Sequence, residues 1–275
     1  MIKIENLQFN YSKHQVFKDI SLTLEEGKIY GLLGQNGVGK TTLMKIIAGL
    51  LKSNQGKCIV NGRNPFKREP SFLEDVYFIP EDFTGSNAIV QDYAKSIGEF
   101  YPRFDIELFH KLMSEFEVNP LGRFTRLSFG QQKKAIISLA LSLRTRLLLL
   151  DEPSNGLDIP SKTQLRRLIA QYTDDESTVI ISTHQVRDLE NLIDPIIILD
   201  RQNVLLNASI EEISEKLYFS LEPQVDNNAL YCEPVLGGYA IVRINNTSRE
   251  SKVNIETLFN CALNNKESIK SIFKN

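Results

Sequence analysis

The chain has 275 residues, 42% of them hydrophobic and 24% charged, and a formal net charge of −2. This suits one large domain, or one domain with an appendage, around an ordinary globular core. It gives no hint of a basic nucleic-acid surface, and runs such as Leu147 to Leu150 are far too short to cross a bilayer. Cys58, Cys232 and Cys261 are odd in number, widely spaced and in no metal-binding pattern, so they read as reduced, buried thiols of a cytosolic protein. Met1-Ile2-Lys3-Ile4-Glu5 lacks the apolar stretch of a signal peptide.

Along the chain, Ile2-Lys3-Ile4 and Ile20-Ser21-Leu22-Thr23-Leu24 alternate like antiparallel strands, and Lys28 to Leu33 is a short apolar run that reads as a buried strand. Gly34-Gln35-Asn36-Gly37-Val38-Gly39-Lys40-Thr41-Thr42 then matches the phosphate-binding pattern G-x-x-x-x-G-K-[ST]. Its glycines let the backbone turn tightly and bring N–H groups close to an anion. Lys40 adds a mobile positive charge, and the Thr41 hydroxyl is a ligand for Mg²⁺. Thr41 to Ala48 has helical spacing and ends at Gly49. The loop therefore lies between a strand and a helix N-terminus, whose unpaired N–H groups and dipole favour negative charge. These residues predict binding of a nucleoside triphosphate with Mg²⁺.

Lys57 to Gly62 reads as a further strand closed by an Asn-Gly turn. Val90, Tyr93, Ala94, Ile97 and Phe100 are helically spaced, as are Leu108, Leu112 and Phe116, with Pro102 between them. A helical insertion is expected here, running to about Arg144. Within it, Leu127-Ser128-Phe129-Gly130-Gln131 precedes an apolar helix, Ala135 to Leu141. Ser128 can cap, Gly130 permits close approach and the helix N-terminus offers a second anion site, although for the pentapeptide alone an ordinary capped helix is the better reading.

Leu147 to Leu150 is all apolar, as befits a strand covered on both faces, and Asp151-Glu152 follow at its C-terminal end, where ligands sit in open α/β sheets. Asp151 is placed to hold Mg²⁺ and Glu152 to polarise water, or both are solvated acids ending a strand. A helix over Lys162 to Tyr172 and strands at Thr178 to Ser182 and Ile196 to Leu199 follow. Strands alternating with helices predict a largely parallel sheet. After Ala208 come a charged helix (Ile210 to Leu217), a hairpin around Gly237-Gly238 and a helix over Ile255 to Leu263 capped by Asn254.

In order and spacing, the phosphate loop, Leu-Ser-x-Gly-Gln and the apolar strand ending Asp-Glu resemble the ATP-binding subunit of an ABC transporter, over about residues 1 to 207. Leu127 to Gln131 matches the family signature, with Phe129 where glycine is commonest. Ser154 to Asp158 matches the D-loop, His184 the switch histidine and Tyr11 the adenine-stacking aromatic, although Tyr11, like Phe9 and Phe17, is also a good core residue. The resemblance implies an α/β P-loop NTPase of ABC type. Its parts are a largely parallel sheet, an N-terminal antiparallel β-subdomain, a helical subdomain at about 85–144 and a small C-terminal α/β appendage at 208–275.

By resemblance, backbone N–H groups of Asn36, Gly37, Val38, Gly39, Lys40, Thr41 and Thr42 cradle the phosphates of ATP. Thr41 and Asp151 hold Mg²⁺, Glu152 is the general base and His184 contacts the γ-phosphate. The family acts as a head-to-tail dimer, in which Ser128, Gly130 and Gln131 of one chain close the ATP of the other, with Asp158 at the junction. A second ATPase chain, identical or not, is therefore implied. Glu81 stands where the family usually has glutamine and is expected to contact the metal in the closed state, or else to point to solvent.

Ile79-Pro80-Glu81 and Phe100 to Asp105 look like patterns in ABC-2 type exporters. They imply a cytoplasmic ATPase, peripheral at the membrane through integral permease subunits and with no nucleic-acid partner. The other classes consistent with the motifs are a soluble ABC ATPase acting on a macromolecular complex and a nucleotide-gated scaffold.

Overall fold

The computed structural model describes residues 1–83, 86–246 and 249–273. Thr84 and Gly85, where the helical insertion is expected to begin, lie outside the described residues. β1 (Ile2–Tyr11) and β2 (His14–Leu24) form a long hairpin, β3 (Ile29–Leu33) leads into the phosphate loop, α1 (Lys40–Ile47) leaves it, and β4 (Gln55–Val60) returns to pair with β1. Alternation turns Ile2, Ile4, Leu22 and Leu24 to one face, while a register shift between Ile4 and Leu7 bends β1. Asn61 and Gly62 both have positive φ and bring Val60 opposite Arg63, the tight turn expected there.

A short helix α2 (Pro70–Leu73) leads to β5 (Val76–Ile79). The insertion consists of α3 (Val90–Gly98), α4 (Ile106–Glu115) and α5 (Phe129–Ser142). Then come β6 (Leu147–Asp151), α6 (Ile159–Tyr172), β7 (Thr178–Thr183), β8 (Ile196–Asp200) and β9 (Asn203–Ala208). The central sheet has the order β5-β6-β7-β3-β8-β9, parallel except for β9, which runs antiparallel to β8. Because the strands are parallel, the phosphate loop, Asp151-Glu152 and Thr183-His184 all leave the same edge of the sheet.

The apolar runs are buried on both faces. Leu147 and Leu149 pack with the antiparallel hairpin and α1, whereas Leu148 and Leu150 pack with the helical insertion. Ile180 and Ile197 face the first interior; Val179, Ile181, Ile196 and Ile198 face the second.

The C-terminal residues form α7 (Ile210–Lys216), β10 (Leu217–Glu222), β11 (Tyr231–Val235), β12 (Gly238–Ile244), α8 (Ile255–Asn264) and α9 (Lys266–Ile272). Their antiparallel sheet has the order β10-β12-β11. Leu258, Cys261 and Ile269 are fully buried and share an interior with Ile196 and Ile198. Three details differ from expectation. α2, β9 and α9 are additional elements, Leu217 opens a strand instead of ending a helix, and only Cys261 is buried, Cys58 and Cys232 being half-buried.

Candidate active site

Gly39 begins the site. Its φ is +112°, and a Cβ there would lie 2.8 Å from Val16 Cγ1 and 2.9 Å from the Phe17 ring, so only glycine fits. α1 starts directly after it, with no side chain capping its N-terminus, which leaves first-turn N–H groups for an anion. Val38 differs from its neighbours in that its N–H donates to Gln35 O at 3.3 Å within the loop.

Lys40 lies across the loop. Its Nζ donates to Gly34 O at 2.8 Å and Gln35 O at 3.3 Å, and is 3.7 Å from Glu152 Oε1. Burial lowers its pKa below the usual lysine range, while the charges of Glu152 and Asp151 pull the other way. Thr41 Oγ1 donates to Asp151 Oδ2 at 2.6 Å, and Ser182 Oγ donates to Asp151 Oδ1.

Glu152 is 3% exposed and holds a left-handed φ of +47°. Its Oε1 pairs with His184 Nδ1 at 2.8 Å, but its Oε2 is buried with no hydrogen-bond partner among the described residues. A buried carboxylate oxygen with free lone pairs, beside a lysine and a phosphate loop, is equipped to accept a proton. Thr41 and Asp151 supply a hydroxyl and a carboxylate, the hard oxygen donors Mg²⁺ prefers, with room left for phosphate oxygens and water. The residues present therefore fit the metal.

A cleft of about 370 Å³ brings Asn36, Gly37, Gly39, Lys40, Thr41 and Thr42 together with Tyr11, Glu81, Asp151 and Glu152. Tyr11 is 45% exposed at its mouth, edge-on to Phe9 with ring centroids 4.8 Å apart, and accepts from Thr42 Oγ1 at 3.5 Å. Glu81 Oε1 accepts from Asn155 Nδ2 at 2.9 Å. Ser128, Gly130, Gln131 and Asp158 do not line this cleft. Ser128 and Gln131 form a reciprocal capping box on α5, and Asp158 caps α6 by accepting from Ser161 N at 3.0 Å. Hydrogen bonds from Ser161 hold the Asp158 carboxyl below the usual range. The two caps are neighbours, since a Cβ on Gly130 would lie 3.2 Å from Gly156 O and one on Gly156 would strike the Phe129 ring at 2.5 Å.

Sequence reasoning gave no site role to four residues, one of which, Asn155, it had named only as part of the D-loop. Ser182 orients Asp151, Asn155 holds Glu81, His14 lines the cleft, and the Lys133 ammonium reaches the carbonyls of Glu81 and Glu152. A polar side chain ending the apolar run Val179-Ile180-Ile181 was the available signal for Ser182; nothing local marks Lys133.

The family described as ABC transporter matches residues 17–155. The ABC transporter ATP-binding protein YtrB of Bacillus subtilis (strain 168) is 27% identical over 234 residues, covering 83% of this chain and 78% of that protein. The lantibiotic transport ATP-binding protein SrtF of Streptococcus pyogenes is 30% identical over 198 residues, covering 70% and 84%. A solved ATP binding subunit of an ABC transporter has the same fold, with a TM-score of 0.72 at 22% identity over 78% of this chain and 91% of that one. With its phosphate loop, acids and sheet order arranged as described, this chain belongs to the ABC transporter ATP-binding proteins, enzymes that bind and hydrolyse ATP with Mg²⁺.

Proposed function

We propose that residues 1–207 form the motor of an export permease, driven by closure of two ATPase chains around ATP, and that 208–275 are an accessory region. The observation that carries this reading is the unpartnered, buried Oε2 of Glu152, flanked by Lys40 and His184 at the open end of the phosphate loop.

ATP lies with its phosphates against the N–H groups of Asn36, Gly37 and Gly39 to Thr42, its adenine beside Tyr11, and Lys40 turned from its own loop carbonyls to the β- and γ-phosphates; the Val38 N–H joins them only by leaving Gln35 O. Thr41 and Asp151 would hold Mg²⁺, which when bound would supply charge neutralisation at the terminal phosphates. Glu152 Oε2 accepts a proton from water as that oxygen bonds to the γ-phosphorus, and the bond to the β-phosphate oxygen breaks with its electron pair leaving on ADP. His184 fixes the carboxylate through Nδ1 and orients the γ-phosphate. Ser128, Gly130 and Gln131 serve the nucleotide of the partner chain. They bring a second helix N-terminus to charge that one chain leaves open to water, with Asp158 at the junction. Closure excludes solvent and so ties hydrolysis to the paired state.

Export is supported by Ile79-Pro80-Glu81 and Phe100 to Asp105, which resemble ABC-2 type exporters. An apolar groove of about 460 Å³, lined by Leu73, Tyr77, Ile97 and the 71% exposed Phe100, supports docking of a permease segment between core and insertion. No helix among the described residues is long and apolar enough to cross a membrane. In this reading integral permease subunits hold the ATPase at the cytoplasmic face.

The test is Glu152→Gln. Turnover should fall by more than about 100-fold, as expected when a general base is removed, while ATP-dependent dimerisation, measured by light scattering, persists. Normal hydrolysis by that variant would remove Glu152 as the base; loss of dimerisation would remove the closure.

A further inference from the structure

Lys133 plays no part in the chemistry above, yet it is 2% exposed, and burying an ammonium is costly. It stands on α5 five residues after Ser128. Its Nζ donates to Glu152 O at 2.9 Å and Glu81 O at 3.3 Å, and lies 5.5 Å from the centroid of the Phe129 ring. One cation thus joins the first turn of the signature helix, the turn after β5 and the end of β6. Burial depresses its pKa, and the carboxylates of Glu81, Glu152 and Asp151 oppose that shift.

The contact falls on a conformationally demanding residue. Glu152 holds φ +47° without being glycine, and its backbone is gripped from two sides. Its N–H donates to Ser182 O at 3.2 Å and Ser182 Oγ at 3.1 Å; its carbonyl accepts from Asn155 N at 3.2 Å and from Lys133 Nζ. A small turn of that peptide swings the carboxylate. Ser182 belongs to the rigid sheet and Asn155 to the turn that follows Glu152, whereas Lys133 belongs to a helix of the insertion.

We infer that Lys133 is a positioning residue that ties the pose of α5 to the orientation of the Glu152 carboxylate. What Ser128 and Gly130 engage at the helix N-terminus is thereby felt at this chain's own hydrolytic site. The inference rests on the two-chain reading given above. Under it, each α5 has its N-terminus on the partner's nucleotide and its Lys133 on its own base, so the two ATP sites are coupled through one helical turn.

The experiment compares Lys133→Met, which keeps the apolar stem and removes charge and donors, with Lys133→Arg, which restores both, in the full chain with Mg²⁺ and ATP. Lys133→Met should lower kcat by at least about tenfold with KM changed less than about threefold, and bring the Hill coefficient for ATP down to one. Lys133→Arg should recover most of the rate. A folded Lys133→Met with wild-type kcat and Hill coefficient overturns the inference, as does an equal loss in both variants. Should Lys133→Met melt below the assay temperature, Lys133→Gln, too short to reach both carbonyls, is read against the same outcomes. Glu152→Gln measured in parallel separates the failures. If it is inactive beside a normal Lys133→Met, only the coupling falls; if it is active, the base assignment beneath the coupling falls too.

Discussion

Gly39 and Glu81 lend themselves to single substitutions with opposite lessons. Gly39→Ala places a methyl group against Val16 and the Phe17 ring and demands a φ that L-residues avoid. A loss of about 1–3 kcal/mol in stability is expected, together with weakened nucleotide binding; a thermal melt and a fluorescent-ATP titration read the two effects. Glu81→Gln should keep the hydrogen bond with Asn155 but replace a charged oxygen by a weaker amide ligand. If Glu81 meets the metal, the Mg²⁺ concentration for half-maximal ATPase rises severalfold; an unchanged Mg²⁺ curve assigns it to the loop alone. The phosphate loop was legible because its chemistry is local, nine successive residues doing one job. Lys133 was not, because it sits beside Lys134 on a helix where lysine ordinarily faces water. Its burial is decided by carbonyls 52 and 19 residues away.

At the level of elements, the fully apolar strands were the readiest to recognise, since a run such as Leu147 to Leu150 has no solvated face to offer. β9 was hidden because its hairpin turn is Arg201-Gln202, both at positive φ, with none of the Gly or Asn that normally betrays such a turn. β10 follows α7 without a break, and α9 buries only Ile269, too little to show a period. Leu149 is fully buried beneath α1, so Leu149→Ala should cost about 2–5 kcal/mol, read from chemical denaturation. The α5 cap separates structure from function. Ser128→Ala removes a capping oxygen and should cost only about 1 kcal/mol of stability. If Ser128 also closes the partner's site, ATPase activity falls far more than that loss explains; a fall in melting temperature with normal activity would confine Ser128 to capping.

Across the full chain, residues 208–275 are held to the rest by ion pairs and by apolar packing. Lys266 pairs with Asp200 at 2.6 Å, and Arg187, just beyond His184, pairs with Glu256 at 2.6 Å. The Arg187 pair is largely exposed and contributes at most about 1 kcal/mol. The apolar contact of Leu258, Cys261 and Ile269 with the sheet interior matters more. A chain ending at Ala208 should therefore melt earlier and aggregate, as size-exclusion chromatography would detect; an unchanged melt would make the appendage a separate unit.

The alternation of neighbours along β6, β7 and β8 between two interiors has a further consequence. A replacement in one of these strands perturbs one flank and spares the other, so the flank packed on the hairpin and α1 and the flank packed on the helical insertion can accumulate inherited changes independently. Only the rim where Asp151, Glu152 and His184 emerge answers to both lineages of change at once.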